Sequence, residues 1–376
     1  MAPEHAPTEQ NPPSPPGEEA IRLRPALDAL PAYVAGRPAP QREDLTVYKV
    51  SSNESPFGPI DSVRQAVIAA LEGANRYPDM MNQQLRQALA AEHGVTPEEI
   101  VVSTGAVAVT GDLVRAVVDP SDEVVFPWRS FEAYPILVGA QGGVSRQIPL
   151  TETFEHDLDA MVAAVTDRTT LMILCTPNNP TGPILTTEQV RSVLGRVPSH
   201  VVVALDEAYR EFVEPELRID AEGLFREFPN LLVLRTFSKA HGLAGLRVGY
   251  ALAHPRLADA LLKVTLPFGT NLLAQAAALA SLEPEVMALM TERTAHLRSE
   301  RSRVMAGLAE QGWELPASQG NFVFFPLGEQ CQEFTDFCAD RGLVVRRYGD
   351  DGVRITIAED EANDRILEVC GAWRQR

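Results

Sequence analysis

Cysteine pairs and metal-binding motifs are missing from this chain. Its four cysteines occur without a C-x-x-C pair, and its seven histidines include no H-E-x-x-H. The first absence argues against a disulfide framework or a structural zinc site, and the second against a zinc-protease centre. We therefore expect reduced thiols and no bound metal.

Positive charge and long apolar runs are also scarce. The chain has 33 Lys and Arg against 51 Asp and Glu, a net charge of −18, which argues against nucleic acid or an anionic membrane as its main partner. Lys263, Pro267, Gly269 and Asn271 interrupt its most apolar long segment, residues 260–282. The N-terminus has acidic residues where a signal peptide would have basic ones. We expect a cytoplasmic protein that binds anions through local arginine and lysine clusters.

The remaining composition predicts a globular protein with two domains. The chain has 376 residues, 45% of them hydrophobic. Residues 1–20 are rich in proline and glutamate, which predicts a disordered tail. We expect residues 21–48 to form an arm that joins the small domain, residues 49–265 the large domain and residues 266–376 the small one. Strands alternate with helices in the large domain, which predicts a mostly parallel α/β sheet.

The segment after residue 265 has a different pattern. A long helix is expected at residues 285–311, followed by short strands at 313–316, 321–325, 342–347 and 352–357. This order of elements predicts a smaller α+β domain.

A cluster of polar side chains follows the apolar run at residues 231–234. Thr236, Ser238 and Lys239 come directly after this predicted strand, and Arg247 follows eight residues beyond the lysine. Hydroxyls and a guanidinium around one lysine are suited to hold a phosphate beside an amine that can form a Schiff base. Pyridoxal phosphate requires this combination.

Other candidate residues also follow predicted strands. Asp206 comes directly after the strand at 201–205, where a buried carboxylate would be costly without a partner, and a protonated pyridine nitrogen would suit it. Because ligands of parallel sheets bind beyond the carboxyl ends of the strands, the candidates are expected to converge there. They are Gly105, Phe131, Asn179, Asp206, Ser238 and Lys239.

Together these motifs resemble the aspartate-aminotransferase superfamily, the fold type I pyridoxal-phosphate enzymes. The likeness is closest to the histidinol-phosphate aminotransferases and the aromatic (phenylalanine) aminotransferases, and it extends from about residue 23 to the C-terminus. It implies pyridoxal phosphate as cofactor, an aspartate-aminotransferase-like large domain and a homodimer. It also implies an aminotransferase that uses 2-oxoglutarate as amino acceptor.

The resemblance also implies roles for single residues. Lys239 would hold the cofactor and move the proton, Asp206 would contact the pyridine nitrogen, and Phe131 would stack on the ring. Asn179 and Tyr209 would contact the phenolic oxygen. The phosphate would be held by Gly105, Ala106, Val107, Thr236, Ser238, Arg247 and Tyr77 of the partner subunit. Because Ala106 replaces the usual serine, we expect weaker phosphate retention.

Substrate contacts are implied in the same way. Arg354 would bind the substrate carboxylate and Arg346 its distal end, with Asn179 beside them and Tyr33 over the entrance. We interpret Trp128 and Tyr134 as packing or entrance residues. These two, with Phe131 and His241, favour an aromatic substrate slightly.

Several functions remain open at this point. The amino donor is a phenylalanine-like aromatic amino acid, L-histidinol phosphate or a substrate of secondary metabolism. A decarboxylase similar to the threonine-phosphate decarboxylases is a second class, which carbon dioxide release would reveal. A binding protein that retains the cofactor without turnover is a third.

Overall fold

The computed structural model of the protein describes residues 24–28, 30 and 42–376. Its strands are β1 (Tyr48–Lys49), β2 (Ile100–Ser103), β3 (Glu123–Trp128), β4 (Val144–Pro149), β5 (Thr169–Cys175), β6 (Val202–Asp206), β7 (Leu231–Thr236), β8 (Gly249–Leu252), β9 (Phe322–Phe325), β10 (Leu343–Val344), β11 (Arg346–Tyr348) and β12 (Gly352–Thr356). Its α-helices are α1 (Asp61–Ala70), α2 (Gln83–His93), α3 (Ala106–Val117), α4 (Ala133–Gln141), α5 (Leu158–Ala163), α6 (Thr187–Arg196), α7 (Ala221–Glu227), α8 (Pro255–Val264), α9 (Leu272–Ser281), α10 (Pro284–Glu310), α11 (Cys331–Asp340) and α12 (Asp360–Arg374). The predicted tail at residues 1–20 lies outside the described residues.

Strands β2 to β8 form one seven-stranded sheet in the order β2-β8-β7-β6-β5-β3-β4. β8 is antiparallel to both of its neighbours, whereas the pairings among β3 to β7 are parallel. β2 to β7 therefore run in one direction, which confirms the predicted mostly parallel α/β sheet. Their carboxyl ends meet at one edge, where such sheets bind ligands.

Local sequence explains which of these strands were predictable. β2 and β7 are buried at every residue, as expected for strands covered on both faces. The sequence did not predict β4 or β8. β4 is an edge strand with four exposed and two partly buried residues, and it lacks an apolar run. β8 is buried but only four residues long, and it follows a segment rich in glycine.

A smaller sheet lies in the C-terminal part of the chain. β9, β11 and β12 form an antiparallel sheet in the order β11-β12-β9. β1 pairs in parallel with β10, so residues before the large sheet contact the C-terminal part. The predicted long helix is confirmed as α10. The strand predicted at 313–316 is wrong, because Trp313 instead packs against Phe325 and Phe334 without strand pairing.

Three apolar clusters form the core. Val203 and Leu205 of β6 belong to one cluster and Ala204 to another, as the alternation of side chains along a strand requires. The third cluster surrounds β9 and β12, and it includes Tyr209 and Ala240 from loops beside the large sheet. The large and small sheets thus share packing near the candidate residues. The domain boundaries at residues 49–265 and 266–376 remain a prediction.

Within the described part of the chain, no single helix is both long enough and apolar enough to cross a membrane. α9 and α10 satisfy those criteria only when taken together, across an 81° bend. The side chains of Ala274, Ala277 and Ala278 in α9 are buried inside the protein.

Candidate active site

A cavity of about 270 Å³ lies beyond the carboxyl ends of the parallel strands, between the large sheet and the small one. Its wall combines loops that follow β5, β6 and β7 with residues of β11 and β12. The predicted site residues that line it are Ala106, Val107, Phe131, Asn179, Asp206, Tyr209, Thr236, Ser238, Lys239, Arg247, Arg346 and Arg354. The structure therefore brings together groups from distant parts of the sequence.

Gly105, Tyr77 and His241, which the sequence singled out, are not among the residues that line this cavity. Gly105 lies just behind the wall, at the start of α3. Tyr77 is 83% exposed and packs against Phe268. His241 is partly buried and packs against Phe237, so its proposed bias toward aromatic substrates finds no support in its position. Tyr33 lies outside the described residues.

Lys239 lies at the centre of the cavity wall. Its Nζ donates a 3.0 Å hydrogen bond to the backbone oxygen of Ser52 and lies 5.6 Å from the centre of the Tyr209 ring. Part of the side chain faces the cavity, but burial of the amine, assisted by the charge of Arg354, lowers the pKa of Lys239 to about 7. A substantial fraction of neutral amine, the nucleophilic form, is therefore present near neutral pH.

One corner of the cavity is suited to an anion. Gly105 has a φ of +94°, and a Cβ there would lie 2.5 Å from Nη2 of Arg247, so the close approach of these two residues requires glycine. Arg247 also donates a 3.3 Å hydrogen bond to Oγ of Ser238. The first N–H groups of α3, at Ala106 and Val107, lie at the helix N-terminus, where anions bind favourably.

Asp206 ends β6 as a buried carboxylate. Its Oδ1 accepts a 3.1 Å hydrogen bond from the backbone N–H of Ala208, and its Oδ2 accepts a 2.6 Å hydrogen bond from the hydroxyl of Tyr134. Burial raises the pKa of Asp206, and the hydrogen bond from Tyr134 opposes that rise. Because both donors are neutral, a cationic ligand group would stabilise the ionised carboxylate further.

Tyr209 and Asn179 lie on the side of the cavity that the small sheet covers. The hydroxyl of Tyr209 accepts a 3.0 Å hydrogen bond from Nδ2 of Asn53, and burial raises the pKa of Tyr209. Asn179 Oδ1 accepts a hydrogen bond from Nη1 of Arg354. Asn179 thus links the turn after β5 to the small sheet.

The described residues fit pyridoxal phosphate at three separate points. The anion corner at Arg247 suits its phosphate, the amine of Lys239 in the cavity wall suits its aldehyde, and the buried Asp206 suits its pyridine nitrogen. These three groups line one cavity.

Comparison with known proteins agrees with this fit. The family model described as aminotransferase class I and II matches residues 46–369. The chain belongs to this family. Pyridoxal phosphate is its cofactor, and the protein is an enzyme that transfers amino groups between amino acids and 2-oxo acids.

Individual relatives of this aminotransferase cover nearly its whole length. The aromatic amino acid aminotransferase of Streptomyces avermitilis is 47% identical, over 95% of this chain and 99% of that protein. That of Rhodococcus opacus is 48% identical, over 92% of this chain and 94% of that protein. A crystal structure of histidinol-phosphate aminotransferase from Sinorhizobium meliloti with pyridoxal-5'-phosphate superposes with a TM-score of 0.84 at 29% identity, covering 94% and 98% of the two chains. The predicted resemblance to the aspartate-aminotransferase superfamily and the predicted fold type I architecture are confirmed.

Tyr134, Glu132 and Tyr348 are among the residues that the sequence did not assign to the site of this aminotransferase. Tyr134, interpreted as packing or entrance, is 1% exposed and bonded to Asp206. Glu132 and Tyr348 line the cavity, and Glu132 forms an ion pair with Arg346. The three-residue spacing of Phe131 and Tyr134 is a usable signal in hindsight, because such residues lie on one side of a helical turn. No sequence pattern indicates the pairing of Glu132 with Arg346.

Proposed function

We propose that this aminotransferase takes the amino group of an aromatic, phenylalanine-like L-amino acid and passes it to 2-oxoglutarate. The proposal depends on the burial and the hydrogen-bond partners of Arg354. This arginine is 5% exposed, donates to the neutral oxygens of Asn179 and Ser51, and forms no ion pair among the described residues. Its Nε is also buried without a described partner. A substrate carboxylate would supply the missing negative charge.

Because the charge of Arg354 also acts on Lys239, the missing anion belongs near the reacting amine. An amino acid has a carboxylate beside its amino group, whereas the phosphate of histidinol phosphate lies at its distal end. The aromatic rings of Phe131 and Tyr348 in the cavity wall favour an aromatic side chain. The names of the curated relatives support the same choice.

The cofactor contacts are part of the proposal. Lys239 would bind the aldehyde carbon, and Asp206 would lie at the pyridine nitrogen. Asn179 and Tyr209 would donate to the phenolic oxygen, and Phe131 would stack on the ring. The phosphate would be held by Thr236, Ser238, Arg247 and the N–H groups of Ala106 and Val107, with Gly105 allowing the close approach of Arg247.

The protein's own groups then account for catalysis. Bound pyridoxal phosphate supplies an electron sink for the negative charge that develops at the substrate α-carbon. Lys239 would hold the cofactor, and its neutral Nζ would serve as the base that moves the proton of the substrate α-carbon. Asp206 would stabilise a positive charge on the pyridine nitrogen. Arg354 holds the substrate carboxylate and so orients the α-carbon toward Lys239.

A homodimer completes the proposed site. Tyr77 is exposed although it packs on Phe268, with ring centres 4.7 Å apart, and Phe268 is itself 41% exposed. Large exposed hydrophobic residues lie along the same stretches of chain: Ile68, Leu71, Met80 and Leu266. Such side chains suit burial against a second copy. Tyr77 of the partner subunit would then reach the cofactor phosphate.

A single-turnover reaction tests the proposed substrate. The enzyme loaded with pyridoxal phosphate is mixed with L-phenylalanine or with L-histidinol phosphate, and loss of the visible cofactor absorbance is followed. We expect faster loss with L-phenylalanine and formation of phenylpyruvate. Faster loss with histidinol phosphate would overturn the aromatic assignment. Carbon dioxide and phenylethylamine in place of phenylpyruvate would identify a decarboxylase.

A further inference from the structure

Two buried arginines lie opposite each other on neighbouring strands of the small sheet. Arg346 of β11 lies opposite Arg354 of β12 in the antiparallel register, and both line the active-site cavity. Like charges at directly opposed positions destabilise a sheet. Both residues are less than a tenth exposed, so water compensates little of this repulsion. Each guanidinium therefore needs protein or ligand acceptors.

The two arginines obtain this compensation from different kinds of group. Arg346 forms an ion pair with the carboxylate of Glu132, whose side chain is 25% exposed and also lines the cavity. Among the described residues, Arg354 donates hydrogen bonds only to neutral oxygens, as described above. The charge of Arg346 is thus matched within the protein, whereas the charge of Arg354 awaits a ligand.

Glu132 lies in the loop between β3 and α4, directly after Phe131. Glu132 places a negative charge in the cavity wall beside Arg346, which would otherwise attract a distal anion of the substrate. Such an anion has to displace Glu132 from Arg346 or lie close to a like charge, and both alternatives cost free energy.

A neutral side chain meets no such cost. The ring of Tyr348 lies near both arginines, with its centre 5.4 Å from the guanidinium carbon of Arg346 and 5.5 Å from that of Arg354. Tyr348 also lines the cavity and contributes aromatic surface to its wall. An aromatic substrate ring packs favourably on such a surface.

We propose that Glu132 is a specificity-determining residue, which disfavours substrates with an anionic side chain by pairing with Arg346. The inference rests on the proposed function, since it concerns the distal end of the same substrate site. Acidic substrates such as L-glutamate and 2-oxoglutarate still react, but the negative charge of Glu132 repels their distal carboxylate. The residue therefore sets the balance between the aromatic and the acidic half-reactions.

The Glu132→Gln variant tests this inference. Single-turnover rates are measured with L-phenylalanine, with L-glutamate and with L-glutamine, the neutral isostere of glutamate. We expect the second-order rate constant of this half-reaction for L-glutamate, relative to that for L-phenylalanine, to rise roughly tenfold, because the like charge is removed and Arg346 is released. The ratio for L-glutamine should change less than about twofold, because glutamine has no distal charge.

Two further variants distinguish this effect from a general change in charge. Asp351→Asn removes a carboxylate that pairs with Arg129 on the same side of the molecule but does not line the cavity, so it should leave the glutamate ratio unchanged. Glu132→Ala removes the carboxylate without adding an amide, so it provides a second measurement if the glutamine variant loses cofactor.

The outcomes separate the two proposals. An unchanged glutamate ratio in both Glu132 variants, with L-phenylalanine still accepted, would overturn the inference and leave the proposed function standing. An equal rise in the Asp351→Asn control would also overturn it. Failure of the unaltered enzyme to react with L-phenylalanine would overturn the proposed function, and the inference with it.

Discussion

The hydroxyl of Tyr134 donates a 2.6 Å hydrogen bond to Oδ2 of Asp206 beneath the cavity that contains Lys239. Both side chains are buried, and Tyr134 is the second residue of α4. Burial raises the pKa of Asp206, whereas donation from Tyr134 lowers it. The tyrosine therefore helps to keep the carboxylate ionised, which is the form that stabilises a protonated pyridine nitrogen.

Tyr134→Phe should slow amino transfer without unfolding the protein. A hydrogen bond to a charged group contributes about 1.5–3 kcal/mol, so we expect the single-turnover rate to fall roughly tenfold or more. The pKa of Asp206 should rise further, so the acid limb of the pH–rate profile should move to higher pH. The measurement is this profile with L-phenylalanine. Tyr48→Phe, which removes a hydroxyl from β1 outside the cavity, is the control. An unshifted acid limb in Tyr134→Phe would show that the hydrogen bond only supports packing.

Ala106→Ser should strengthen cofactor retention. Ala106 is the first residue of α3 and lines the anion corner, where a serine hydroxyl would add one hydrogen bond to the phosphate. One charge-assisted hydrogen bond lowers the dissociation constant roughly tenfold. The check is equilibrium titration of the apoprotein with pyridoxal phosphate, with Ala106→Gly as the variant that adds no hydroxyl. Equal or weaker binding by the serine variant would place the phosphate elsewhere.

The attachment of pyridoxal phosphate to the apoprotein should depend on the pKa of Lys239. Burial lowers this pKa to about 7, so the amine is protonated and unreactive below that pH and neutral above it. The attachment rate should rise with pH up to about 7 and then level off. The attachment rate at an ordinary lysine would continue to rise up to about pH 10. Stopped-flow absorbance over this range gives the profile. A rate that still climbs above about pH 9 would contradict the lowered pKa.

The proposed crossing of Tyr77 predicts complementation between two damaged proteins. In a mixed dimer of Lys239→Ala and Tyr77→Ala subunits, one site has both changes and the other has neither. Random exchange of subunits then leaves about a quarter of all sites intact. Activity of the mixture should exceed the average of the two variants assayed alone after the same treatment. Activity equal to that average would show that Tyr77 serves its own subunit, or that no dimer forms.

The sequence predicted the polar residues of the site better than their partners. Asp206, Asn179 and Lys239 were found because each follows an apolar strand, and the carboxyl ends of parallel strands must meet. β4, which lacks such a run, and β8, which has only four residues after a glycine-rich segment, were missed. Their pairing depends on the neighbouring strands, and their own residues give no distinct pattern.

Pairings across the cavity could not be predicted in the same way. Glu132 and Arg346 are separated by 214 residues, and their ion pair depends on how the small sheet lies against the large one. Tyr134 has the composition of a packing residue, and only the fold shows its hydroxyl at Asp206. The role of each site residue is still a prediction that the experiments above address.

Mapping the lysine that binds the cofactor tests the central claim most directly. The chain has only three lysines, Lys49, Lys239 and Lys263, so the result is easily resolved. The loaded enzyme is reduced with borohydride, digested and analysed by mass spectrometry. The account predicts that the reduced cofactor is attached to Lys239, remains there in Lys49→Arg, and is absent from Lys239→Ala. Attachment at Lys49 or Lys263 in the unaltered enzyme, or a reducible imine that persists in Lys239→Ala, would contradict the account.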